Sequence, residues 1–489
     1  MTSGIVANVK AQATRVFDTL DDGDATWELD PDRLLPLDEQ TRAIARDLYA
    51  AVETMPIISP HGHVNPTLLT ENIPFTDPAA LFITDDHYVT RLLHAAGNPL
   101  AELGVGGAAA DPRTVWRRFC EHWHVFAGTA SGAWLRHELI ELFGIGVEPS
   151  ASTADRIFDT IEGRLTSPEM LPRELFERFR IEVLATTDDP LDDLTHHDAL
   201  AQDTCFSGRV LPTFRPDAYI DPRVAGFHEN VQRLAEHFDA PLDDYHRYLS
   251  GLASRREYFI SRGAISADHG VLEPFATELD DDAAAALYSQ AVRGALAPQE
   301  ARLFAGHMLF QMAKMSVRDG LVMTVHPGVS RNHHAPTFRA HGPDTGHDIP
   351  VRTEFTNNLR ELLGAFGTAP GFHLVLFAVD ETTFSREIAP LAGFYPSVFI
   401  GAPWWFLDAP DAIRRFRSAT TETAGFYRGA GFIDDTRAFL SIPARHDTAR
   451  RLDAGFLAQY VREGRLGAVE AERIAVDLVD SIPRKAFKL

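Results

Sequence analysis

The chain has 489 residues, 45% of them hydrophobic and 24% charged, and its formal net charge is −23 at pH 7. Nucleic acid and anionic membrane surfaces should repel such a chain, whereas a small anionic substrate is not excluded, because a few buried arginines reverse the potential locally. The only cysteines, Cys120 and Cys205, are too few for a disulfide framework or a cysteine zinc cluster.

The opening stretch, MTSGIVANVKAQATRVFDTLDDGD, lacks the long apolar core of a signal peptide. No segment approaches the ~18 apolar residues that a membrane span needs. A cytoplasmic protein is expected, with residues 1–50 as a mainly polar lead-in. Within it Asp38 can cap a helix that carries Ile44, Leu48 and Val52 on one face.

Eight short apolar runs then follow, each opening onto polar residues at its C-terminal end. They begin at Pro56 (PIISPHGH), Ile181 (IEVLATTDDP), Val210 (VLPTFRPD) and Ala264 (AISADHG). The others begin at Leu321 (LVMTVHPG), Leu374 (LVLFAVD), Val398 (VFIGAPWW) and Phe432 (FIDDTRAF). Continuous apolar runs separated by helical segments are the pattern of buried parallel strands. Phe227, Val231, Leu234 and Phe238 make one such helical stripe. Eight units predict an α/β fold, a (β/α)₈ TIM-like barrel whose site lies at the C-terminal ends of the strands. The long gap before Phe179 is filled with helical sequence (TVWRRFCEHWHVF, AWLRHELIELF), which predicts a helical insertion at about 90–178 in a single domain. Large acidic barrels often associate, which leaves a homo-oligomer open without requiring one.

His61-Gly62-His63 is the sharpest local signal, because residues two apart on a strand face one side and can share an ion. Among 21 histidines a lone His-x-His is weak, and its place at a strand end strengthens it. On the last run Asp435 and Arg437 share a side. Asp435 can complete a two-histidine, one-carboxylate metal site or act as a general base beside it; the same two residues also read as a surface ion pair. His87-Tyr88 offers two groups able to move protons, or simply a packed helix start. Arg215 at a strand end can grip a carboxylate with two parallel hydrogen bonds. Asp268, His269 and His326 occupy matching positions on neighbouring strands, with Arg331 and Asn332 in the loop beyond. Trp404-Trp405 can wall a sugar site, although such a pair is more commonly core. GVGG at Gly104–Gly107 lacks the spacing of a phosphate loop, and no Gly-x-Ser-x-Gly motif occurs.

In order and number these blocks resemble the uronate isomerase (glucuronate isomerase) family of the amidohydrolase superfamily, from about Pro56 to Arg451. The resemblance is carried by HGH, DDHYVTRLL, AWLRHELIELFGI, TTDDP, PTFRPD, His326 through Asn332, Asp344-Thr345-Gly346, WWFLD and DDTRAFLSIPARHDTARR. It implies interconversion of an aldohexuronate and a ketohexuronate on an amidohydrolase-type barrel. It also implies a divalent metal, zinc by expectation, held by His61, His63 and Asp435. Arg215 and Arg437 would contact the uronate, His87 and Tyr88 would lie near the reacting carbons, and Asp435 would move the proton. His326, Arg331, Asp268, His269 and Trp404 complete the expected substrate pocket. The sequence departs from the family at Ser59 (usually aspartate), His333-His334, His347 (usually aromatic) and Ile442-Pro443-Ala444. The alternative is a metal-dependent hydrolase on the same barrel, acting on a sugar-acid lactone or amide.

Overall fold

A computed structural model of the chain describes residues 27–489. The first 26 residues of the expected lead-in lie outside the described residues. The strands are β1 (Ile57–Ser59), β2 (Ile181–Ala185), β3 (Arg209–Leu211), β4 (Thr213–Phe214), β5 (Ser266–His269), β6 (Val322–Val325), β7 (Val329–Ser330), β8 (Ile349–Pro350), β9 (Leu374–Leu376) and β10 (Val398–Ile400). One parallel sheet runs β1-β2-β3 and a second runs β4-β5-β6-β9-β10; β7 and β8 form a separate antiparallel pair.

Two seams join the parallel sheets into a ring. Pro212 has no N–H to give and separates β3 from β4. Past it, Asp188 pairs with Phe214: the Asp188 amide donates to Thr213 and the Arg215 amide donates to Asp188. At the other seam the Ala430 amide donates to Ile400 (2.9 Å) and the His63 amide to Thr436 (2.9 Å). Residues 429–437 therefore occupy the eighth place around the barrel, between β10 and β1.

That eighth place corrects an expectation, since Phe432–Phe439 is not a regular strand. Gly431 and Asp435 have φ of +78° and +43°, and such left-handed residues break an extended path. The β7–β8 pair was not anticipated; it closes the loop that carries Arg331 and Asp344.

The helical segment begins slightly before its expected bound, at His87–Ala95, and continues through Pro112–Glu121, Ala130–Glu141, Ala154–Leu165 and Pro172–Arg178. Its core of Phe82, Trp116, Phe119, Phe158 and Ile161 is continuous with Ile57 and Ile181 at the roots of β1 and β2. It is thus packed into the barrel wall. The later part of the lead-in is less polar in effect than its composition indicates. Asp38 caps helix Glu39–Ala50 by accepting from the Thr41 amide, and Ala45, Leu48 and Val52 pack on Ala454, Leu457 and Ala458 of the long helix Ile442–Arg462. Burying Leu48 alone contributes roughly 2 kcal/mol. Ala486 and Phe487, at the end of the chain, are fully buried against Val322, Val375 and Phe399. Among the described residues no helix is long and apolar enough to cross a membrane.

Candidate active site and metal centre

A cavity of about 670 Å³ opens at the C-terminal ends of the strands. His61 and His63 enter it just beyond β1. The Thr187 hydroxyl donates to the Gly62 carbonyl (2.8 Å) and the His63 amide to Thr436, so the His-Gly-His turn is tied to both flanking strand positions. A Cβ on residue 62 would meet the Ala185 and Thr436 carbonyl oxygens at ordinary van der Waals distances, 3.4 and 3.5 Å.

Asp435 Oδ1 lies 3.3 Å from His61 Nε2 and 3.0 Å from His63 Nε2. Neither approach has hydrogen-bond geometry, and this buried oxygen has no other partner. Two imidazole nitrogens and one carboxylate oxygen that converge without bonding one another form a donor set for a divalent cation. The electrostatics agree. Burial opposes the Asp435 anion, yet His61 and His63 outweigh it and hold the carboxyl well below the usual range. Burial also opposes a charged His61, but Asp268 and Asp435 raise its basicity above the ordinary value. In His63 burial prevails and lowers it. The pocket is thus built to hold positive charge beside Asp435. Ser59 Oγ and His61 Nδ1 are both buried and without partners, so Ser59 gives the ring no hydrogen bond of the kind that commonly orients a ligating imidazole.

Asp435 takes a left-handed backbone conformation, which a non-glycine residue keeps only when its surroundings fix it. The neighbouring residues do so. Asp434 Oδ2 meets His446 Nε2 at 3.0 Å, and Arg445 bonds both the Asp434 carbonyl (3.3 Å) and Asp408 Oδ2 (2.8 Å). Arg445 also lies over the rings of Trp134 and Tyr88, at 3.7 and 5.4 Å.

His87 and Tyr88 are the first two residues of helix His87–Ala95, whose cap Asp86 accepts from the Tyr88 amide (2.7 Å). They face the cavity with rings stacked at 4.6 Å, and Trp405 stands edge-on to His87. Burial and nearby Arg437 push His87 down to about 3, so it is a neutral imidazole at working pH. Burial pushes the Tyr88 hydroxyl upward, keeping it a donor.

Arg215 donates from Nε to Asp217 (2.8 Å) and has Asp268 Oδ2 3.3 Å from its terminal nitrogen. Gly270 makes room for it: a Cβ there would lie 2.4 Å from the guanidinium. Across the cavity Arg437 meets Asp344 (3.2 Å) and Arg331 meets Asp348 (3.0 Å) while lying over the Trp405 ring. Trp404 stands edge-on to His326, and neither indole N–H of the Trp404-Trp405 pair has an acceptor.

Asp268 and His269 require correction as substrate contacts. Both are fully buried and neither lines the cavity. Asp268 lies behind the wall, accepting from Thr324 (2.6 Å), contacting His326 Nδ1 (2.6 Å) and pairing with Arg215. His269, the next residue on β5, turns away, with Nδ1 2.9 Å from the Thr324 carbonyl oxygen. The residues not singled out beforehand are those that hold others: Asp217, Asp344, Asp348, Asp408, Arg445 and His446. All but Asp348 lie in sequence blocks already noted, but spacing alone gives no sign of their pairings.

Comparison with known proteins gives one consistent result. The family model for glucuronate isomerase matches residues 38–483. A uronate isomerase of Corynebacterium efficiens is 50% identical over 461 residues, covering 94% of this chain and 98% of that one. The crystal structure of glucuronate isomerase from Caulobacter crescentus superposes with a TM-score of 0.93 at 46% identity, covering 95% of this chain and 97% of that chain. That of the Thermotoga maritima uronate isomerase gives 0.88 at 28% identity, covering 94% and 99%.

Proposed function

The chain belongs to the glucuronate isomerase family, and from that premise we propose how its residues interconvert an aldohexuronate and a ketohexuronate. The substrate pair is D-glucuronate/D-fructuronate or D-galacturonate/D-tagaturonate, and the enzyme works in the cytoplasm on a free small molecule. The hydrolase alternative is not carried forward, because the near full-length relatives at high identity are isomerases.

The reaction moves a proton between C2 and C1 through an enediolate, while protons shift between O1 and O2. Its difficult step removes a carbon-bound proton next to a carbonyl, which needs a base at that carbon and positive charge at the developing oxyanion. Asp435 is the base, since its carboxyl is held ionised and faces the cavity. Arg437 and Tyr88 donate to the oxygens as charge moves onto them, and neutral His87 packs against Tyr88. Arg215 grips the remote carboxylate with the donors that Asp217 and Asp268 leave free. Fixing that far end orients the reacting carbons, an effect that can offset several kcal/mol of barrier.

His61, His63 and Asp435 would hold the divalent ion, and zinc suits two imidazoles and a carboxylate. When bound it supplies Lewis acidity toward a substrate oxygen. The observation that carries this reading is the convergence of that donor set, Arg215 and Arg437 in one cavity. The test is incubation of zinc-supplemented protein with a panel of hexuronates. Formation of a ketohexuronate from one of them is the expected result; no conversion of any hexuronate by folded, metal-loaded protein would overturn it.

A further inference from the structure

A second cavity, of about 470 Å³, lies at the other end of the barrel, beside Ile57 at the start of β1 and Phe179-Arg180 ahead of β2. Its wall carries Arg33, Arg178, Arg180, Arg450 and Arg451 against Glu53, Glu141 and Asp447. Five arginines against three carboxylates leave two positive charges in excess, in a chain whose net charge is −23. Such a local reversal raises the concentration of anions at the opening.

The arginines are not all committed to partners. Asp447 takes Arg33 (2.5 Å) and Arg451 (2.9 Å). Arg178 and Arg180 donate only to backbone carbonyls, of Glu141 (3.1 Å) and Glu53 (3.5 Å), and among the described residues no carboxylate oxygen lies within 4.0 Å of either. Arg178 ends the helix Pro172–Arg178 and Arg180 follows with φ of +54°; both side chains are exposed at the rim. Deeper in, Arg450 is 7% exposed; its terminal nitrogens cap the carbonyls of Glu53, Met55 and Pro56, while its buried Nε has no partner. The rest of the wall includes apolar Leu29, Met55, Ile57 and Phe179.

We propose that this cavity is an effector site for a small phosphate-bearing metabolite, its phosphate on Arg178 and Arg180 at the rim and its carbon skeleton on the apolar wall. A phosphate monoester carries a charge near −2 and three strong acceptor oxygens, which matches the excess charge and the planar guanidinium donors. The path to the active site is short. His446 lines this cavity, its Nε2 meets Asp434, and Asp434 precedes Asp435. An occupant that shifts His446 therefore shifts the segment bearing the base.

The test is calorimetry on the full-length, metal-loaded protein, with the active site blocked by saturating uronate. Inorganic phosphate and a hexose 6-phosphate serve as probes at low ionic strength. Both should bind, the hexose phosphate more tightly, and both at least tenfold more weakly to an Arg178→Ala/Arg180→Ala double variant. Arg180→Glu, a second surface variant, should weaken binding likewise, and both variants should keep their turnover in the absence of phosphate. Saturating hexose phosphate should change the kcat of the parent enzyme and not that of the double variant. Absence of binding to the uronate-blocked protein, equal affinity in the variants, or a kcat indifferent to the bound phosphate would each overturn the proposal.

Discussion

Asp434 Oδ2 lies 3.0 Å from His446 Nε2, and this buried contact anchors the residue immediately before Asp435. A carboxylate and an imidazole from successive elements thereby hold the left-handed turn that aims Asp435 at His61 and His63. Replacing His446 by Ala leaves Asp434 buried beside one fewer partner and frees that turn. Removal of an outer partner of this kind typically lowers metal affinity or activity by about 10–100-fold. Competition against a chelating dye should show the weaker zinc binding, and unchanged affinity would mean that the contact is incidental to the site.

Gly270 sets the position of Arg215. An alanine there would place its Cβ 2.4 Å from the guanidinium, the movable end of a long side chain, so Arg215 would swing aside without disturbing the backbone. Gly270→Ala should therefore raise KM for the uronate, at some cost in stability because the displaced Arg215 leaves the buried Asp268 carboxylate. Loss of a charged hydrogen bond is worth about 1.5–3 kcal/mol, or roughly 10–100-fold. A KM within twofold of the parent would argue against Arg215 as the carboxylate clamp.

Much of this was legible in the sequence. The apolar runs located seven of the eight barrel positions, because buried parallel strands leave a continuous signature. Position eight was found as a segment and misread as a strand, since a left-handed Asp435 cannot be inferred from residue types. His61, His63 and Asp435 were legible because spacing and barrel closure bring the first and last units together. Asp268 and His269 were misplaced because alternation along a strand gives two faces but not the depth of each. The pairings that hold the site, such as Arg445 with Asp408, join residues 37 apart in the chain and exist only in the fold.

Glu138 gives stability a pH signature. Burial, with Asp86 nearby, pushes its carboxyl from 4.5 up to about 8, with Arg445 only partly opposing. The folded protein then retains a proton that the unfolded chain has released, so stability falls as pH rises from about 4.5 to 8 and this contribution levels off above. Glu138→Gln removes the dependence. Its Tm relative to the parent should rise steadily between pH 5 and 8; a constant difference would place Glu138 in its ordinary ionised state.

Zinc should stabilise the fold through linkage. At a free concentration 1,000 times Kd, an ion that binds only the native state adds about 4 kcal/mol. Thermal melts should therefore shift upward with zinc and return on chelation, and His61→Ala/His63→Ala should show no such shift. An equal shift in the double variant would place the ion elsewhere.

The most direct test of Asp435 as the proton carrier is proton NMR of the hexuronate in deuterated water with zinc-loaded parent and Asp435→Asn enzymes. The parent should erase the C2 proton signal as solvent deuterium enters, while the variant, folded by circular dichroism, should leave it intact. Exchange by Asp435→Asn at a rate near that of the parent would show that another group moves the proton.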